Sequence, residues 1–161
     1  MAQVQSITPC LWFDGQAEAA ANFYVGLFPD SRVLEVGRWP EGEDFGMAPP
    51  GSVLVLRFQL AGQEFLALNG GPQFPFTEAV SLSVRCENQA EVDHYWQRLA
   101  EGGAHSRCGW LKDRYGLSWQ VVPTVLVDLL ASPEPGVAAR AMRRMMAMDK
   151  LEIAPLLAAG D

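Results

Sequence analysis

The side chains best suited to chemistry in this 161-residue chain are two histidines and three cysteines. A metal site needs several imidazole, thiolate or carboxylate groups converging on one point. His94 falls on a predicted helix and His105 in a loop, so the pattern does not announce such a cluster. Cys108 stands four residues before Lys112, and a nearby cation lowers a thiol's pKa toward the nucleophilic thiolate. No neighbouring histidine is read as its base, so a packed thiol is the expectation rather than a nucleophile. Cys86 falls among apolar positions and reads as core. Asp113-Arg114 sits at a predicted turn, where a surface pair is expected rather than an acid–base unit. Arg140, Arg143 and Arg144 form a basic stripe, either a solvated helix face or a contact for an acidic surface on a second subunit. Met142, Met145, Met146 and Met148 fall mostly on the other side of that helix and read as packing.

Charge and composition narrow the classes. Twelve Lys+Arg against 19 Asp+Glu leave a net charge of -7, which argues against a nucleic-acid or anionic-membrane surface. Hydrophobic residues make up 49% and charged residues 19%, enough for a packed core in one domain or two small modules. No apolar run reaches the ~18 residues of a membrane span, and the start MAQVQSITPC lacks the pattern of a signal peptide. An odd number of cysteines suits reduced thiols, hence a cytoplasmic protein.

The elements that must position these groups follow from periodicity. Residues 7–13 read as a strand ending at the turn Asp14-Gly15, and 16–28 carry Ala17, Ala20, Tyr24 and Leu27 at helical spacing before Pro29. Residues 31–38 are a second strand. The Pro- and Gly-rich stretch 39–52 is a long surface loop. Residues 53–60 and 63–69, joined by Ala61-Gly62, have the signature of a hairpin. The order then repeats: a strand over 79–86, and a helix capped by Asn88 and running to about Glu101, with Val92, Trp96 and Leu99 on one face. Two short strands follow at 108–113 and 116–123. Core packing is expected for Trp96 and Trp119. Beyond Pro123, residues 125–131, 136–148 and 151–159 are helical in pattern. The predicted fold is α+β, two related modules of a strand, a helix and further strands at about 5–72 and 78–123 within a domain spanning 1–123, with a C-terminal helical extension over 124–161.

Five motifs in order, CLWFDGQAEAAANFY with LFPDS, NGGP at 69–72, QAEVDHYWQRL at 89–99, CGWLKDRYGLSWQVVP at 108–123 and MAMDKLEIAPL in the tail, resemble the PhnB-like branch of the vicinal oxygen chelate (glyoxalase/bleomycin-resistance/dioxygenase) superfamily. Members often carry the label 3-demethylubiquinone-9 3-methyltransferase. The resemblance implies paired βαβββ modules curled around a cavity, usually in a homodimer.

It also implies where a metal would be held, by His, Glu or Gln on the first and last strands of each module. Those slots fall here on Thr8 or Cys10, Asn69, Ser81 and Gln120, a neutral set that balances no 2+ charge, so no metal is expected. The methyltransferase label implies S-adenosylmethionine, yet Asp14-Gly15 holds the single glycine near the first strand-to-helix turn, and no cofactor is expected. The candidate cavity is lined by Thr8, Cys10, Trp12, Phe65, Asn69, Ser81, Ser83, Ser118 and Gln120, which suits a partly apolar small molecule with a few hydrogen-bonding groups. Asn69 could equally brace its turn, and Ser81 and Ser83 could simply leave room. The leading expectation is a metal-free small-molecule-binding protein whose partners are its own copy and a ligand. The alternatives are a small-molecule enzyme (a metal-assisted lyase, isomerase or dioxygenase, or the labelled methyltransferase) and an antibiotic-sequestering resistance protein.

Overall fold

The computed structural model describes residues 5–161. The chain divides into two units, the first ending at Pro75 and the second running from Phe76 to Asp161, which includes the helical extension.

In the first unit, β1 (Cys10–Phe13) alternates strictly, Leu11 and Phe13 buried and Cys10 and Trp12 on the other side. Helix α1 (Ala17–Val25) lies on the Leu11 and Phe13 side. Ala17, Ala20, Ala21 and Tyr24 are fully buried, and the three alanines let the helix backbone approach the sheet closely. Strands β2 (Arg32–Arg38), β3 (Val53–Leu60) and β4 (Gln63–Asn69) complete a sheet of order β1-β4-β3-β2, in which only β1 and β4 run parallel. Tyr24, Phe58 and Phe65 stack in sequence beneath α1, with ring centroids 6.4 and 5.5 Å apart.

The loop 39–52 holds no regular element, yet its base is closed. The Trp39 N–H donates to the Ser52 carbonyl and the Gly51 N–H to the Trp39 carbonyl, each at 2.9 Å, so the β2–β3 ladder continues one pair past the strands. At the β3–β4 hairpin both turn residues have positive φ, Ala61 at 47° and Gly62 at 82°. That is the primed geometry that matches strand twist, and it suits Asn-Gly far better than Ala-Gly. Ala61→Asn therefore raises stability by about 1 kcal/mol, because alanine carries a Cβ penalty in this region. An unmoved urea midpoint would count against it.

The second unit repeats the plan. Strand β5 (Ser81–Cys86) leads into α2 (Gln89–Leu99), whose Asn88 side chain accepts the Glu91 N–H at 2.9 Å. Glu91 in turn accepts the Glu87 N–H at 2.7 Å, which ties the residue before the cap to the first turn. Val92, Trp96 and Leu99 are buried as their spacing predicts. Strands β6 (Ala104–His105), β7 (Trp110–Lys112) and β8 (Ser118–Pro123) give the order β5-β8-β7-β6, with β5 and β8 parallel. β6 is the strand missing from the sequence reading, since two residues are too few to show a period. The extension folds into α3 (Thr124–Leu130), α4 (Val137–Met146), α5 (Ile153–Leu157) and a closing 3-10 turn at Ala158–Gly160, around Leu126, Ala141, Leu151, Leu156 and Ala159.

Cys86 is fully buried, and its thiol is pushed up to about 12, first by burial and then by the nearby charges of Glu91 and Glu87. The neutral thiol is thus preferred in the folded state over the unfolded one. Its contribution is intact below the unfolded value near 9 and is lost as pH rises through 12, on the order of 1 kcal/mol by pH 10. Denaturant midpoints at pH 8 and pH 10 should differ in this sense for the wild type and less for Cys86→Val. In the native state Ellman's reagent should titrate exposed Cys10 and half-buried Cys108 but not Cys86; a rapid third thiol would contradict the burial.

Candidate functional site

Each sheet has a helix on one face, so polar groups able to meet a ligand belong on the other. In the first unit that far face carries Cys10 and Trp12, with Leu66 and Leu68 opposite them in register. Trp12 is held firmly. Its indole N–H donates to the Gly71 carbonyl at 2.8 Å, and its ring meets Phe74 edge-on at 5.0 Å. A Cβ on Gly70 would lie 2.2 Å from the Trp12 ring, so the glycine is required for the indole to lie there. On the same face Arg57 bridges Glu64 at 3.1 Å and Glu35 at 3.4 Å, and these carboxylates, Glu64 foremost, raise its pKa further. Half-buried Thr8 precedes β1 and accepts from the Gln5 side chain at 3.4 Å.

Two of the candidate cavity residues belong elsewhere. Phe65 lies on the helix side of β4, 7% exposed and stacked on Phe58, because Phe65 and Ala67 alternate with Leu66 and Leu68 along the strand. Asn69 borders a hollow with Glu18 and Pro49, but its amide works within the fold: Oδ1 accepts the Ala17 N–H at 2.9 Å and Nδ2 donates to the Val53 carbonyl at 3.1 Å. It supplies from another strand the cap that Gln16 does not give α1. The NGGP motif is thus a bracing device: Asn69 for a helix and a strand, Gly70 for the Trp12 ring, Gly71 for its N–H.

In the second unit the register puts Ser81 and Ser118 side by side, and likewise Ser83 and Gln120, with Trp110 opposite Gln120 and Lys112 opposite Ser118. All six share the face away from α2. Gln120 donates to the Ser81 hydroxyl at 3.0 Å, and Ser83 is exposed. Beside them, toward β6, lies a pocket of about 480 Å³ whose lining includes Glu78, Arg107, Cys108, Trp110, Lys112 and Ser118. Ser118 is 1% exposed, and its hydroxyl has no hydrogen-bond partner. A buried polar atom without a partner costs free energy, and natural proteins keep few of them. Of the serines and glutamine expected to line a cavity, only Ser118 borders this pocket. Arg107, Trp110 and Lys112 are absent from the expected lining, although the alternation of Trp-Leu-Lys around inward Leu111 would have placed the last two.

The pocket wall depends on the helical extension. Cys108 has φ 58°, and its N–H and that of Gly109 donate to the Met148 and Asp149 carbonyls, each at 2.8 Å. His105, three positions before Cys108, is exposed and lines the same pocket, with its ring parallel to Trp96 at 4.3 Å and Nε2 2.9 Å from the Trp96 carbonyl oxygen. Asp113 corrects the expectation of a surface pair. It is 3% exposed, and it accepts from the Tyr115 and Leu117 N–H groups at 2.8 and 3.1 Å and from the Trp119 indole at 2.9 Å. Its neighbour Arg114 instead reaches the Glu101 carbonyl. The carboxylate organises the turn whose two ends carry Lys112 and Ser118.

Two successive βαβββ modules, each a four-stranded mixed sheet with one helix on one face, define an α+β fold of the glyoxalase/bleomycin-resistance kind, that of the vicinal oxygen chelate superfamily. Within it the chain belongs to the family described as 3-demethylubiquinone-9 3-methyltransferase, whose model matches residues 5–122. It is similar to a putative 3-demethylubiquinone-9 3-methyltransferase, a PhnB protein from Bacillus cereus, with 37% identity over 74% of this chain and 100% of that one and a TM-score of 0.67. A Pseudomonas aeruginosa protein shares 22% identity over 74% of this chain and 98% of its own, with a TM-score of 0.57. The fosfomycin resistance protein FosX from Mesorhizobium loti shares the fold, at 14% identity over 82% of this chain and 99% of its own and a TM-score of 0.56. No curated protein matches.

The residues do not fit the groups that this kinship suggests. Both ends of the Asn69 amide are engaged, Gln120 is bonded to Ser81, and neither serine nor threonine balances a divalent charge. Among the described residues no three His, Cys, Asp or Glu side chains are grouped as a metal site would need. S-adenosylmethionine fares no better. The β1–α1 turn has one glycine, and the Ala17 N–H at the helix start is taken by Asn69 rather than offered to a ligand.

Proposed function

We propose that this PhnB-like protein binds a small organic molecule on the far face of its second sheet, and does so without a metal ion. The observation that carries the reading is the pocket of about 480 Å³ with the unpartnered Ser118 hydroxyl in its lining. The volume lies in the ordinary range of small-molecule sites, and a ligand oxygen or N–H would satisfy a group that the fold alone leaves unmet. The neutral, already engaged donors at Asn69, Ser81 and Gln120 support binding in preference to metal-assisted catalysis. Three free cysteines and the acidic balance support a cytoplasmic protein that acts on neither membrane nor nucleic acid, and among the described residues no helix is long and apolar enough to cross a membrane. The working unit in this reading is a homodimer.

Native mass spectrometry of protein purified without chelator tests both the metal-free and the dimeric parts. Twice the mass of the bare chain supports them, a divalent ion surviving buffer exchange overturns the first, and a monomer at micromolar concentration overturns the second. A fragment screen read by amide and indole NMR shifts tests the site. Shifts clustered on Gly109, Trp110 and Leu111 are expected, and binding confined to other residues would sink the assignment.

A further inference from the structure

The charges around the second-sheet pocket point to the kind of molecule it takes. Two cations and one carboxylate lie in its lining: Arg107, Lys112 and Glu78. Lys112 and Glu78 form an ion pair and cancel. The Arg107 guanidinium is exposed and has no acidic partner among the described residues, in a chain whose net charge is -7. One positive charge is left over at the pocket, with five N–H donors in a planar fork that fits a carboxylate with two parallel bonds. The remaining wall is largely apolar, with Ala104, Cys108, the Trp110 ring and Leu111, and it also includes His105 and Ser106. Ser118 adds a second, independent pointer, a nine-tenths-buried hydroxyl without a partner.

We infer that the pocket takes an organic monoanion, a carboxylic acid with an apolar body, whose acid group pairs with Arg107 while a ligand oxygen meets the Ser118 hydroxyl and the body lies against Trp110. The inference rests on the proposed small-molecule site and adds its ligand class. A dianion would leave one charge unbalanced beside Glu78, and a cation would meet Arg107 as a like charge.

The test uses benzoate, phenylacetate, 3-phenylpropionate and hexanoate, each against its primary amide, on the full chain with NMR shifts and calorimetry. At least one acid should bind at Gly109, Trp110 and Leu111 about tenfold more tightly than its amide, a margin that shrinks as salt rises. Arg107→Gln should erase that margin, weakening the acid far more than the amide. Ser118→Ala should weaken the acid several-fold, yet raise the melting temperature of the free protein by about 3 °C, since the substitution removes an unsatisfied buried polar atom. A hydroxyl that merely supports the fold would lower it. Amides that bind at these residues as tightly as the acids would overturn the anion and spare the pocket. If no acid shifts these residues at millimolar concentration while amides do, the anion again falls alone. If nothing binds there, both readings fall.

Discussion

Asp113→Ala should lower the free energy of unfolding by about 4 kcal/mol, a large effect for a single polar substitution. The carboxylate accepts at least three hydrogen bonds, from two backbone N–H groups and the Trp119 indole, and both Leu117 and Trp119 are almost fully buried. A hydrogen bond to a charged group contributes roughly 1.5–3 kcal/mol, and donors stranded in the interior have no water to turn to. Asp113→Asn retains acceptor capacity but turns an N–H₂ group toward at least one donor, so a loss near half as large is expected. The measurement is guanidinium unfolding with the slope held constant; a loss below about 1 kcal/mol would show that the turn closes without its carboxylate. Because Lys112 and Ser118 flank this turn in register, the same variant should broaden the pocket resonances at Trp110 and Leu111.

Asn69→Ala should cost about 2–3 kcal/mol, an unusual sum for a residue near a strand end. The substitution frees the Ala17 N–H, at a fully buried residue opening α1, and the Val53 carbonyl at the start of β3. Asn69→Asp keeps the acceptor, places a negative charge at the helix N-terminus where the dipole favours it, and loses only the donor to Val53. It should therefore recover roughly half of the loss. Thermal unfolding of the three proteins settles the order, and equal stability of Ala and Asp variants would show that the helix cap contributes nothing.

Both residues illustrate how far the chain could be read without coordinates. Asn69 was legible as a brace or a ligand group, because an asparagine before two glycines signals a turn; which of the two it is depends on Ala17 and Val53, distant in sequence and brought to it by the β1–β4 and β3–β4 pairings. Asp113 next to Arg114 at a turn looks like a surface pair by every local rule. Its burial is decided by Leu117 and Trp119, which close over it once β7 and β8 form. Phe65 was misplaced by one step of strand alternation, and a one-residue slip sends a side chain to the opposite face. The long loop, the Asn88 cap, the helical face of Val92, Trp96 and Leu99, and the alternation of Leu11, Trp12 and Phe13 were all readable, since each depends on neighbours within a few residues.

What the sequence by itself determined is the order of the longer elements and the repeat of a strand, a helix and further strands, and its motifs resemble the family whose model matches residues 5–122. The elements and their order follow from periodicity and turn residues, which are local properties. Only the tertiary structure decided which polar groups are already spent, Asn69 on a helix, Gln120 on Ser81 and Asp113 on its turn, and which remain unmet. The unpartnered hydroxyl of Ser118 beside the uncompensated charge of Arg107 arises where β7 and β8 pair and where the Met148–Asp149 backbone holds the 108–109 turn. Such a juxtaposition is set by contacts between residues far apart in the chain, and no window along the sequence contains it.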